Sequence, residues 1–334
     1  MKRLRVLGLL CVFLFSYVPT VWPAESETAK PGPAAYVSSE VCKACHPTQF
    51  EKFSKTVMGK IFLFNARNET EKQACENCHG PGSNHVAAGG GRGVGGLITF
   101  RKDSGESATV QNEVCLTCHQ RGIQAYWRAS PHASRGIACV NCHTLMEKTS
   151  GKQLAKMTDV TPFFINRAEI EVCGQCHLQR KAQLLRSSHM PLREGKIVCS
   201  DCHNPHGSPN PSQLKQTSVN ENCYTCHAER RGPFLWEHPP VMEGCTNCHE
   251  PHGTVNDRLL KVTDPRVCTS CHISTRHPGT PRPGKQISPT VGPSVFFYNR
   301  SCTNCHSQVH GSNHPSGKFF TVEEEGGHTW HAEG

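Results

Sequence analysis

Aromatic side chains make up only 7% of this 334-residue chain, and hydrophobic residues of all kinds only 36%. That is too little apolar material to build an ordinary core over so long a sequence. No segment after Val18 is long and apolar enough to cross a bilayer as a helix. Cysteine outside a single repeated pattern is missing too, except for Cys11, so a conventional disulfide scaffold is excluded. The glycine-rich stretch Gly89–Gly96 lacks the lysine and the serine or threonine of a phosphate-binding loop, and reads as a linker.

Cys11 falls in a secretory leader: Lys2, Arg3 and Arg5, then the apolar run Val6–Val18, with cleavage expected after about Ala24. The expected layout is a leader over 1–24, an N-terminal segment over 25–41, five motifs over 42–198, five more over 199–318, and a charged tail over 319–334.

The remaining cysteines form ten copies of Cys-x-x-Cys-His. They are Cys42/Cys45/His46, Cys75/Cys78/His79, Cys115/Cys118/His119, Cys139/Cys142/His143 and Cys173/Cys176/His177. The others are Cys199/Cys202/His203, Cys223/Cys226/His227, Cys245/Cys248/His249, Cys268/Cys271/His272 and Cys302/Cys305/His306. One such motif could be half of a zinc site or a redox dithiol. Ten with histidine always next to the second cysteine read as attachment sites for ten haems c, the thiols forming thioethers and the histidine binding iron. Porphyrin faces then replace the missing core, and the expected fold is a multihaem cytochrome c. It is mostly irregular with short α-helices and negligible β, an elongated haem wire.

The formal charge of +9 overstates basicity. Losing Lys2, Arg3 and Arg5 with the leader leaves +6, and each ferric haem with two ionised propionates adds about −1, giving about −4 overall. Nucleic acid is therefore not an expected partner.

The spacing resolves into five two-haem modules, each an odd motif, a candidate distal ligand, an even motif, and a second candidate. The candidates run Met58 and His85, His132 and Met146, His189 and His206, His238 and His252, then His277 with His310 or His314. Methionine stands at two places where the other modules carry histidine. It either binds iron, raising that haem's potential, or fills space beside the cofactor. A ligand in this order need not serve its own module. His328 and His331, in the tail, are expected to be solvated.

Three phrases carry a family resemblance: Ser-Val-Asn-Glu-Asn-Cys-Tyr-Thr-Cys-His-Ala-Glu (218–229), Leu-Trp-Glu-His-Pro-Pro (235–240) and Ser-Gln-Val-His-Gly-Ser-Asn-His-Pro-Ser-Gly (307–317). With all ten motifs in order, the chain resembles the periplasmic decahaem cytochromes of the MtrA/DmsE/PioA family from Cys42 to Lys318. That resemblance implies a haem chain seated in an outer-membrane β-barrel porin. It would exchange electrons between periplasmic or inner-membrane cytochromes and an outer-surface multihaem cytochrome, mineral or terminal reductase. Metal reduction, iron oxidation and dimethyl sulfoxide respiration are the family's settings, and Met58 and Met146 depart from its expected histidines. An electron carrier is thus expected, with two rival readings: a periplasmic reductase with one open haem, and a freely diffusing shuttle.

Overall fold

Every attachment motif closes a single helical turn. In nine of them the histidine N–H donates to the first cysteine's carbonyl at 2.8–3.0 Å, and the tenth, Cys75–His79, is itself a helix. A turn closed four residues on puts positions i, i+3 and i+4 on one face, so both sulfurs and the imidazole leave the backbone together.

The computed structural model describes residues 32–100, 105–146, 169–272, 301–304 and 306–315. The leader, His277, Cys305 and the tail lie outside the described residues. Among the described residues there are short α- and 3₁₀-helices and no strand, only four isolated bridges. The fold class expected from the sequence is the one observed.

Odd motifs sit at the ends of α-helices, as in Ser39–Cys45, Ala108–Leu116 and Val219–Tyr224. Serine caps the last two: Ser107 Oγ accepts from Val110 N at 3.2 Å and Ser218 Oγ from Glu221 N at 3.1 Å. Three even motifs begin instead with a 3₁₀ turn, at Cys139, Cys245 and Cys302. The N-terminal helices Pro47–Ser54 and Val57–Phe64 cross closely at Gly59, where a Cβ would run into the Phe53 carbonyl. Around that crossing Phe53, Phe62 and Ala74 form a small cluster with Met58 and Cys78 against it.

Only eleven hydrophobic side chains are buried among the described residues. Burying so few cannot offset the entropy of ordering the chain. In place of a core there is a continuous cavity of about 5180 Å³, lined by the motif histidines from His119 to His306. A pocket for one small ligand is about 300–1,000 Å³, so this space suits several large apolar groups side by side.

Candidate haem-binding sites

Numbering the sites 1 to 10 in motif order, the two motifs of each module are clasped by one polar side chain, which in modules two to five lies just upstream of the odd motif. Asn112 Oδ1 accepts from Cys139 N at 2.8 Å, Asn220 Oδ1 from Cys245 N at 2.7 Å, and Asp264 Oδ1 from Cys302 N at 3.0 Å. In module three Glu169 does this work on Ser200, taking its N–H at 2.9 Å and its hydroxyl at 2.6 Å. That contact spans the step from residue 198 to residue 199. Module one inverts the clasp: Glu76, from the even motif, accepts from Val37 N at 2.9 Å and Ser38 N at 3.0 Å. None of these five residues was singled out from the sequence. The signal was there, a polar side chain three or four positions before Cys115, Cys173, Cys223 and Cys268.

The clasps bring the first cysteines of each module into sulfur–sulfur contact: Cys42 with Cys75, Cys115 with Cys139, Cys173 with Cys199, Cys223 with Cys245, and Cys268 with Cys302. Between modules the cysteines are close enough to interact electrostatically: Cys78 with Cys115 and Cys118, Cys142 with Cys176, Cys202 with Cys226, and Cys248 with Cys271. Cysteine neighbours thus link each motif to the next in sequence order.

Six non-motif histidines stand opposite a motif histidine. The ring-centre separations are 6.2 Å for His46–His85, 6.0 Å for His143–His206, 6.2 Å for His132–His177, 6.2 Å for His203–His252, 6.1 Å for His238–His272 and 6.2 Å for His249–His310. An imidazole nitrogen lies about 2 Å from a bound metal, with its ring centre about 1.1 Å further, so two rings sharing one metal stand about 6.2 Å apart. The residues present therefore fit a six-coordinate iron between each pair. Five pairs are near-parallel, at 12–26°, and His132–His177 is near-perpendicular at 73°.

Backbone carbonyls fix which nitrogen faces the gap. Nδ1 of His79, His203 and His249 lies 2.8 Å from the carbonyls of Ile98, Ser212 and Arg258. Nδ1 of His132 lies 2.7 Å from Pro205 O, and that of His238 2.9 Å from Val309 O. Holding the proton on Nδ1 leaves Nε2 as the free ligand atom. Burial pushes the His206 imidazole down to about 4, and it lowers His79, His252 and His310 as well. The metal-binding, neutral form is the one the site holds.

A glycine in the left-handed region follows three of the distal histidines: Gly207 at φ 108°, Gly253 at φ 139° and Gly311 at φ 133°. A Cβ there would meet the Tyr126 carbonyl, the Gln183 carbonyl or the Phe234 ring, each in the preceding module. Beyond two of these glycines the chains bridge, Thr254 with Ser188 and Ser312 with Trp236. The His-Gly steps are where successive modules interlock.

The other expected ligands are placed differently. His189 has Nδ1 2.7 Å from Arg186 O and Nε2 3.1 Å from Glu194 Oε1, facing no motif histidine. Met58 packs against the Phe53–Phe62–Ala74 cluster, while Met146 is 40% exposed. His310 faces His249, and His314 offers its backbone carbonyl to the Trp236 indole at 3.1 Å.

These thioether turns and imidazole pairs define a multihaem c-type cytochrome, an electron carrier. The doubled CXXCH motif matches residues 189–232 and 238–277, and a cytochrome c-type NrfB-like family matches residues 75–162. The chain is 46% identical over 288 residues to the multiheme cytochrome MtrA of Shewanella baltica, covering 84% of this chain and 80% of that one. It is 22% identical over 181 residues to the cytochrome c-type protein NrfB of Haemophilus influenzae, covering 48% of this chain and 73% of that one. The chain belongs to the MtrA family of multihaem cytochromes.

Proposed function

We propose that the chain carries ten haems c and conducts electrons through the outer membrane, seated in a β-barrel porin. On the periplasmic side it would meet periplasmic or inner-membrane cytochromes, and at the outer surface a multihaem cytochrome or other terminal acceptor or donor. Each bound haem supplies a one-electron couple. The supporting observation is that cysteines of successive motifs are neighbours along all ten motifs, the first thiols within hydrogen-bonding reach inside a module and the thiols of adjoining modules within electrostatic range. As thioethers these sulfurs do not titrate; what matters is that they hold the edge of each porphyrin beside the next. Among the described residues no helix is long and apolar enough to cross a membrane, so the lipid-facing wall is assigned to the partner.

The distal ligands follow a crossing rule. The one after an odd motif serves the site two ahead, as His132 serves site 5 and His238 site 9. The one after an even motif serves the site two behind, as His206, His252 and His310 serve sites 4, 6 and 8. His85 has no site two behind and takes site 1. Extended, the rule gives Met58 to site 3 opposite His119, and His189 to site 7 opposite His227 once Nε2 leaves Glu194. Met146 goes to site 2 opposite His79, and His277 to site 10 opposite His306. Every site is then filled once, with His314 spare. Two histidine–methionine haems would stand side by side at sites 2 and 3, with potentials above their bis-histidine neighbours. Met58 and Cys78 pack against the same Phe53–Phe62–Ala74 cluster, and the Cys78 thiol lies within electrostatic range of Cys115 and Cys118 of site 3.

Near-infrared magnetic circular dichroism of the oxidised holoprotein tests the ligands: eight bis-histidine haems and two histidine–methionine haems are expected. A spectrum without methionine-type intensity overturns the assignment of Met58 and Met146. The conduit is tested in sealed vesicles carrying the holoprotein with its barrel, an external donor and an encapsulated redox dye. Rapid dye reduction that needs both proteins is expected. Dye left unreduced, with the holoprotein recovered free in solution, would favour a diffusing shuttle.

A further inference from the structure

Sites 4 and 6 are built from the same phrase, Cys-His-x-Pro-His-Gly, and differ at x: Asn204 in His203–Gly207 and Glu250 in His249–Gly253. In both copies x accepts the backbone N–H of the distal histidine, His206 N to Asn204 Oδ1 at 3.2 Å and His252 N to Glu250 Oε1 at 3.3 Å. Beyond that the two part. Glu250 is one methylene longer, and its Oε1 also stands 3.0 Å from Nδ1 of the His252 ring. Arg180 Nη1 lies 3.6 Å from the same oxygen, close enough to help hold the carboxylate there. Asn204 turns its amide away, donating to Gly207 O at 2.6 Å and Ile123 O at 2.9 Å. Nδ1 of His206 is left buried with no hydrogen-bond partner.

We infer that Glu250 is a positioning residue that sets the potential of site 6 below that of site 4. The inference rests on the ligation proposed above, with His252 opposite His203 and His206 opposite His143. Nδ1–H of His252 donates to a carboxylate, a charge-assisted hydrogen bond about twice as strong as a neutral one. The ring gains imidazolate character at Nε2, becomes a stronger donor to iron, and favours the ferric over the ferrous state. His206 has no such partner, and its Nε2 stays an ordinary neutral imidazole donor. The ring planes are near-parallel in both pairs, at 17° and 13°, so ring orientation does not separate the two sites. Sites 4 and 6 flank site 5, and an electron on a partly reduced chain would rest at site 4 in preference to site 6.

Glu250→Gln keeps the length and the acceptor for His252 N while removing the charge. Potentiometric titration of the purified holoprotein should show a single haem's share of the absorbance change moving to higher potential. The low-spin ferric g-spread of one haem should change with it. Asn204→Glu should move one haem's share the opposite way. If Glu250→Gln keeps its full haem content and its curve superimposes on the unsubstituted protein, the inference is overturned. Should that variant fail to load haem, Asn204→Glu decides, and no downward shift overturns it. Failure of the ligation itself reads out separately, as loss of bis-histidine near-infrared intensity in the unsubstituted protein.

Discussion

Asn220 joins two haem sites through one side chain, and its removal has a calculable cost. Its Oδ1 accepts from Cys245 N at 2.7 Å, and its Nδ2 donates to Val241 O at 2.9 Å and Met242 O at 3.1 Å. Asn220→Ala leaves the Cys245 N–H in a part-buried position with no acceptor, which costs about 1–3 kcal/mol, and the two carbonyls lose about 0.5–1 kcal/mol each. The sum is on the order of 2–5 kcal/mol, which lowers Tm by roughly 4–20 °C at about 2–4 °C per kcal/mol for a chain of this size class. The contact between Cys223 and Cys245 should loosen with it, so electron exchange between sites 7 and 8 should slow while haem content stays complete. Thermal melts followed by circular dichroism in the haem bands measure the first effect, and flash-induced electron transfer the second. An Asn220→Ala holoprotein melting within about 2 °C of the unsubstituted protein would refute the assignment of Asn220 as the clasp of module four.

At Gly253, alanine would place a Cβ against the Gln183 carbonyl at a φ of 139°, so Gly253→Ala should destabilise by about 2–5 kcal/mol. It should also add a high-spin ferric band as His252 leaves site 6, whereas Gly32→Ala, with nothing within 4 Å of its Cβ, should change neither melt nor spectrum. Electron paramagnetic resonance of the oxidised protein should contain one large-gmax low-spin signal from site 5, whose imidazoles cross at 73°, and His132→Met should remove it. In module five the clasp is a carboxylate: burial raises the Asp264 pKa, but hydrogen bonds from Ser301, Cys302 and Thr303 outweigh it and leave the folded value depressed. The clasp's contribution is therefore complete above the unfolded carboxylate pKa and lost as pH falls through the lower folded value. Stopped-flow acidification should loosen sites 9 and 10 ahead of those clasped by Asn112 and Asn220, and Asp264→Asn should abolish that early phase.

The multihaem c-type character was legible because haem tethering needs a fixed local spacing, and a local spacing is what a linear sequence displays. Modules were legible from order alone, since Met58, His132, His189 and His238 recur between paired motifs. The pairing of histidines across modules was not. His132 faces His177 and His206 faces His143 through long-range contacts that no periodicity encodes. His310 and His314 could not be separated by sequence either, because both follow the last motif closely. Their roles diverge only where Gly311 meets Phe234 and Ser312 bridges Trp236. The clasps were missed for another reason: an asparagine before a helix-borne motif reads as solvated surface until the neighbouring 3₁₀ turn is placed above it.

The crossing contacts also decide how such a chain can be stable with so little core. Module three gives His206 toward His143 of module two and receives His252 of module four opposite its own His203. Among the described residues no interior module pairs its own histidines, so each is stabilised by its neighbours, as in a stack of repeats. At one end the pattern breaks as a cap requires, His46 taking His85 from within module one. A chain cut after residue 198 would lose more than the five later motifs. Site 4 would lose His206, and the Cys173 turn would lose the Cys199 turn that Glu169 holds against it through Ser200. Cutting after 168 instead parts modules two and three, strips sites 4 and 5 of their shared contacts, and still leaves site 1 whole. On the proposed ligation, damage therefore spreads from the cut by the reach of the ligands, and a haem's coordination would report on the integrity of modules it is not attached to.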